Sequence, residues 1–253
     1  MIRLIGVLLW KNQTIVQSEK FVHTNVIHSD ALHAVESFRS DDLDELIVIN
    51  VSEDSSSFES FILDLNRITS KVRIPVAAGG HIRTEAQAQM LLDNGADKLV
   101  INSLILLDED LVRTLSSLYG ASTLVASVDI KKDDHNSRKY VYIESGKIKT
   151  EFTLEEWLSK VQRMGIGEVF FNSIDHDGSR NGYDLESLRF LAKNTNLPII
   201  GFGGVSEWNH LTQGILAGCS AVAFANTLYY VEFAPRKAKK YLMESGVDIR
   251  IWG

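Results

Sequence analysis

One cysteine, three prolines and no apolar run long enough to span a bilayer set the first limits on this chain. A single thiol cannot close an internal disulfide, which suits a cytosolic protein. Cys219 lies in the small-residue run Ala217-Gly218-Cys219-Ser220-Ala221, with no His or Cys at ligand spacing. It reads as a core residue, and no metal or other cofactor is implied. The apolar N-terminus, Ile2 to Trp10, is too short for a membrane span and lacks a cleavage pattern, so it reads as a first strand. Clustered positive charge is also missing. A formal charge of -7 argues against a nucleic-acid surface, and the basic stretch Arg236 to Lys240 reads as a solvated helix end. No Gly/Ser linker or low-complexity segment divides the chain, and Ser55-Ser56-Ser57 reads as a loop. Pro75 and Pro198 each stand at the entrance of a strand-like run, where a missing N–H is tolerated.

What is present is a repeated unit. From Glu168 to Asp184 a short β-run empties into a loop of carboxylates, glycines and an arginine, and a helix then opens. That is one βα unit, with its chemistry at the strand's C-terminal end. Strand-like runs fall near 3–10, 46–51, 73–78, 98–102, 123–129, 168–173, 198–202 and 220–225. Helical patterns fall between them, near 31–41, 59–70, 84–94, 108–118, 154–165, 184–195, 207–217 and 233–244. This alternation predicts an α/β fold, a (βα)8 TIM barrel with a parallel eight-stranded sheet, as one domain over 1–253. The insertion at about 131–150, with Tyr140-Val-Tyr-Ile143 and Lys147-Ile-Lys149 around Ser145-Gly146, reads as a β-hairpin on the face carrying the βα loops.

The halves, about 1–120 and 121–253, resemble each other. One offset relates Gly80 to Gly203, Gly95 to Gly218 and Glu45 to Glu168, and a nearly equal one relates Leu9 to Asp129. Two half-barrels follow, and with them twinned sites. Gly79-Gly80 and Gly203-Gly204 let backbone N–H groups approach an anion, and Asn102-Ser103 and Asn226-Thr227 add polar donors at the same face. They suggest phosphate sites on opposite rims, the first one weaker because His81 stands where Gly204 would be. Asp129, ending the fifth strand, suits general acid/base work. Asp175 and Asp177 read mainly as loop-orienting groups, with backbone beside Asp177-Gly178 able to serve a phosphate. The first strand offers Leu9 where a partner carboxylate would be expected, and the second ends in Asn50. At the opposite end, Arg3, Glu45, Lys98 and Glu168 lie at strand starts. Such charges are ordinarily solvated, but this set could also pair across the opening as a gate for a small neutral molecule.

Asp44-Glu-Leu-Ile-Val, Gly95-Ala-Asp-Lys-Leu-Val-Ile-Asn102, Ser127-Val-Asp-Ile-Lys and Ser173-Ile-Asp-His-Asp-Gly-Ser-Arg-Asn-Gly-Tyr-Asp184 resemble the HisF family, the cyclase subunit of imidazole glycerol phosphate synthase, and the resemblance runs along essentially the whole chain. It implies a barrel that receives ammonia from a HisH-type glutaminase at its bottom and carries it to a bis-phosphate substrate for histidine biosynthesis. By position, it implies Asp129 as the catalytic aspartate, one phosphate site at Gly80, Asn102 and Ser103, another at Asp177, Gly178, Gly203, Gly204 and Asn226, and an ammonia gate of Arg3, Glu45, Lys98 and Glu168. Leu9, Asn50, Gln17 and His81 depart from the pattern and leave the gate intact. Leu8-Leu9-Trp10-Lys11-Asn12 is similar to the strand-one motif of a HisF-like branch associated with acetamidino modification of surface sugars. There the barrel is thought to pass ammonia to a separate sugar amidotransferase, with cyclase activity weak or lost. The alternative is a working cyclase in histidine biosynthesis.

Overall fold

The computed structural model describes residues 1–37 and 42–250. Its strands in chain order are β1 (Arg3–Lys11), β2 (Thr14–Glu19), β3 (His23–His28), β4 (Glu45–Asn50), β5 (Val76–Gly79), β6 (Lys98–Ile101), β7 (Leu124–Lys132), β8 (Lys139–Ile143), β9 (Ile148–Thr153), β10 (Glu168–Ser173), β11 (Ile199–Phe202) and β12 (Ala221–Phe224). The helices are α1 (Ala31–Ser37), α2 (Phe58–Thr69), α3 (Glu85–Asp93), α4 (Leu104–Leu107), α5 (Glu109–Tyr119), α6 (Leu154–Gln162), α7 (Leu185–Asn194), α8 (Trp208–Leu216), α9 (Thr227–Tyr230) and α10 (Ala234–Glu244).

Parallel pairing runs β10-β11-β12-β1-β4-β5-β6-β7 and returns from β7 to β10, closing an eight-stranded (βα)8 barrel. Closure leaves no open edge among these strands. Pro75 and Pro198 sit just before β5 and β11, and their carbonyls accept from Leu46 N and Val169 N, each at 2.9 Å. The predicted helix 31–41 is seen as α1 to Ser37, and 38–41 lie outside the described residues. Ser55–Ser57 forms a 3-10 turn rather than an open loop, because the Asp54 side chain accepts from Ser56 N and caps it.

Side-chain alternation sorts the strands into an inner and an outer layer. Ile5, Val7, Ile47, Ala77, Val100, Val125, Phe170, Ile200, Phe202, Ala221 and Ala223 pack together inside the barrel. Their neighbours along the strands, such as Leu4, Leu8, Leu46, Val48, Ala126, Val128, Val169 and Phe171, face the helices. Trp10 belongs to the outer layer: its ring packs tilted against Phe61 of α2, centroids 5.3 Å apart, and its Nε1 donates to Asp64 at 2.9 Å. Short polar caps fix where helices begin. Asp108 accepts from Leu111 N, Asp184 accepts from Ser187 N, and Thr153 with Glu156 forms a capping box.

Two antiparallel hairpins extend the sheet beyond the closed barrel. β8 and β9 continue from β7, and β2 and β3 continue from β1. The second was not anticipated from the sequence. β1 turns into β2 at Asn12 and Gln13 (φ 48° and 65°), and β2 turns into β3 at Lys20 and Phe21 (φ 51° and 59°), all in the left-handed region.

Candidate functional site

The period-two rows that build the inner layer also carry the polar groups at its two ends. Arg3, Glu45, Lys98 and Glu168 open the rows Arg3-Ile5-Val7-Leu9, Glu45-Ile47-Ile49, Lys98-Val100-Asn102 and Glu168-Phe170-Asn172. Every second residue inward is apolar until the C-terminal end of the strand. The barrel thus has a charged floor, an apolar middle and a polar mouth.

At the floor the four charges meet. Arg3 Nη1 donates to Glu45 Oε2 at 2.7 Å, and Arg3 Nη2 pairs with Glu168. Lys98 Nζ lies 3.0 Å from Glu45 Oε1 and 3.0 Å from Glu168 Oε2. Each acid therefore holds two cations and each cation two acids. Arg3 and Lys98 stay partly exposed, while the two acids are not solvated strand ends: Glu45 is 3% and Glu168 5% exposed. Alternation turns both inward, and the paired cations allow the carboxylates to stay buried. Burial opposes the charge on Arg3, but the hydrogen bonds and fields of Glu168 and Glu45 prevail and raise its pKa.

At the mouth, a cavity of about 490 Å³ is lined by Leu9, Gly80, Asn102, Ser103, Asp129 and Asn172, among others. Asp129 is 7% exposed, and burial drives its carboxyl up to about 7, Ser127 opposing and Asp177 assisting. It has no cation partner among the described residues. Asn102 Nδ2 donates to Asp129 Oδ2 at 3.1 Å and to the Ser127 carbonyl at 3.1 Å. A buried carboxyl with a pKa near neutrality can give or take a proton, the property acid/base work requires. Leu9 stands in the same cavity as an apolar side chain. Asn50 lies next to inward-facing Ile49 on β4 and turns away; its amide donates to Ser57 Oγ at 3.0 Å and its carbonyl accepts from Ser52 N at 3.0 Å. It therefore holds the loop after β4.

Asn172 escaped the sequence reading. It is 2% exposed, and its Oδ1 has no hydrogen-bond partner among the described residues. It sits beside Asp129 in the β7–β10 register. Counting in twos from Glu168 would have found it.

A second cavity of about 240 Å³ lies at the other rim and gathers Asp177, Gly178, Gly203, Gly204 and Asn226, together with Gln17, Arg180 and Thr227. Gly203 and Gly204 both have positive φ (97° and 79°), and a Cβ at Gly204 would strike the Gly182 carbonyl. The structure thus separates the residues of the two twinned sets onto two rims. Asp177 fastens the β2–β3 hairpin: Ser18 Oγ donates to its Oδ2 at 2.6 Å and Phe21 N donates to the same oxygen at 3.2 Å. Burial raises its pKa, and Ser18 and the Phe21 amide oppose the shift. Asp175 accepts from Lys132 N at 2.8 Å, a loop-orienting contact. Burial pushes the Cys219 thiol up to about 12, so it stays protonated and unreactive near neutrality. Among the described residues no three His, Cys, Asp or Glu side chains cluster as metal ligands, and no helix is long and apolar enough to cross a membrane.

A family model described as "Histidine biosynthesis protein" matches residues 3–234. The chain is 28% identical over 249 residues to the imidazole glycerol phosphate synthase subunit HisF of Dictyoglomus turgidum, covering 98% of each chain. It is 32% identical over 210 residues to the HisF subunit of Chlorobium phaeobacteroides, covering 82% of each, and 32% identical over 211 residues to that of Thermotoga sp. strain RQ2, covering 83% of each. Sequence kinship of this extent, on a barrel of this construction, makes the chain a member of the histidine biosynthesis protein family and a homologue of HisF.

Proposed function

We propose that this chain is the barrel subunit of a glutamine-dependent complex of the HisF type, working as one domain in the cytoplasm. Ammonia released by a HisH-type glutaminase enters at the floor, passes the ring of Arg3, Glu45, Lys98 and Glu168, and leaves at the mouth. The observation that carries the proposal is the placing of that ring on the same inward rows as the mouth, with only apolar side chains between. A dry middle layer admits a neutral molecule far more readily than an ion.

Two fates for the nitrogen are supported by different facts. The relatives' names favour ring closure at the mouth, the imidazole glycerol phosphate synthase reaction of histidine biosynthesis. In that reading Asp129 is the acid/base group, and the two rims hold a phosphorylated ligand through Gly80, Asn102 and Ser103 and through Asp177, Gly178, Gly203, Gly204 and Asn226. Leu9 favours the other fate, delivery to a separate amidotransferase that makes an acetamidino sugar, because a lone carboxyl cannot serve both faces of a substrate at once.

Ammonium chloride with the bis-phosphate substrate of HisF distinguishes them. Turnover near that of a HisF relative establishes the first fate and removes the second. Turnover lower by about 10²–10⁴, recovered in Leu9→Asp, supports the second. Entry at the floor is tested separately: Lys98→Ala should alter glutamine-driven turnover of the assembled complex and spare turnover with ammonium. Equal effects on both would sink the entry route.

A further inference from the structure

On β10 the apolar middle of the barrel ends at Asn172. Glu168 lies at the floor, Phe170 stacks inside on Phe202 with ring centroids 5.2 Å apart, and the next inward position is Asn172. Other asparagines at this end are tied. Both ends of the Asn50 amide are bonded in the loop after β4, and Asn102 Nδ2 is engaged by Asp129 and the Ser127 carbonyl. Asn172 lines the mouth cavity, yet neither end of its amide makes a hydrogen bond among the described residues. Room for its carbonyl comes from Gly203, where a Cβ would strike Asn172 Oδ1. An amide bonded at neither end turns about its last torsion without breaking a contact, so it offers carbonyl or amino group to the cavity as an occupant requires.

A buried carbonyl without a donor is unfavourable, and an arriving N–H offsets that penalty. Ammonia leaving the apolar layer is such a donor, having met no side-chain acceptor among Ile5, Val7, Val100, Phe170 and Phe202. Across the β7–β10 register, the neighbour of Asn172 is Asp129, a carboxyl able to give up a proton near neutral pH. Ammonia that takes this proton becomes ammonium and has no lone pair left for attack. The Asn172 amide gives up no proton, so it holds ammonia without spoiling it.

We infer that Asn172 is the group that receives ammonia at the top of the apolar layer, its carbonyl accepting one N–H while the nitrogen lone pair stays turned to the mouth. This deepens the proposed function by giving the cargo a landing place, and it rests on the reading that ammonia passes through the barrel.

The first test uses the full chain without glutaminase or turnover, so it can fail while the Lys98→Ala entry experiment succeeds, and the reverse. Isotope-labelled protein is titrated with ammonium chloride, with sodium chloride as the control. The side-chain amide NMR signal of Asn172, identified by its loss in Asn172→Val and Asn172→Thr, should shift with the first salt and not with the second. The half-saturating total concentration should fall by about tenfold per pH unit from about pH 7 to pH 9, as binding of the neutral molecule requires. Val and Thr share a shape and differ by one hydroxyl, so the two variants separate acceptor from packing. In the nitrogen transfer that the assembled complex performs, Asn172→Val should raise the KM for ammonium by about fivefold with kcat kept, and Asn172→Thr should restore it. Circular dichroism confirms that both variants are folded. An amide signal that ignores ammonium chloride, one that follows sodium chloride equally, a response independent of pH, or equal KM values in the Val and Thr variants would each overturn the assignment.

Discussion

Buried carboxylates at the two ends of the barrel live under opposite conditions. Glu45 and Glu168 at the floor each touch two cations, whereas Asp129 at the mouth touches only neutral groups. Burial is nearly the same for all three, so depth is not what separates them. The number of compensating charges is. Where cations are supplied, acids become fixed parts of a closed ring. Where they are withheld, the acid is left able to exchange a proton near neutral pH.

The comparison breaks most directly at Glu168. Glu168→Ala leaves Arg3 and Lys98 sharing Glu45 alone, and should cost roughly 2–4 kcal/mol in urea unfolding, as removing one member of a buried ionic set does. A loss under about 0.5 kcal/mol would mean that water, not Glu168, supports the two cations.

Asp129→Asn probes the other end through pH. Folding raises the pKa of Asp129 from 3.8 to about 7, so the folded state holds this proton more tightly than the unfolded one. Its contribution to stability is complete below about pH 4 and lost as the pH rises through 7. The Asn variant should gain on wild type by ~1–3 kcal/mol between pH 5 and pH 9. Parallel stability curves for the two proteins would remove the argument for an uncompensated acid. The smallest effect sharpens the contrast with the ring: Arg113→Ala, breaking exposed pairs with Glu109 and Asp110 on α5, should change stability by less than about 0.5 kcal/mol.

Much of the frame was legible because barrel strands and helices announce themselves by local rules. Prolines mark strand entrances, Asp and Thr mark helix starts, and apolar alternation marks which way a strand faces. What escaped was set by distant contacts. Thr14–Glu19 and His23–His28 are short strands whose pairing depends on β1, and neither the β1–β2 turn at Asn12-Gln13 nor the β2–β3 turn at Lys20-Phe21 carries the glycine that usually signals a hairpin. The α4 and α9 helices are single turns after Asn102-Ser103 and Asn226, too brief for periodicity to register. Among the site residues, strand position placed Asp129 and the four floor charges, but not the burial of Glu45 and Glu168, which comes from each finding both Arg3 and Lys98. Asn50 could be misread because a residue at a strand's end belongs to either layer, and one step of register decides which.

The tips of the two hairpins touch: a Cβ at Gly146 would lie 2.8 Å from the Phe21 ring. Lys20 and Phe21 on one tip, and Glu144 and Ser145 on the other, all sit in the left-handed region without being glycine. Each such residue is strained by about 1 kcal/mol. The awning over the mouth is therefore sprung, pinned down on one side by Asp177 and on the other by Ser103 and Arg83. The two pins hold the tips against each other over the mouth from opposite sides.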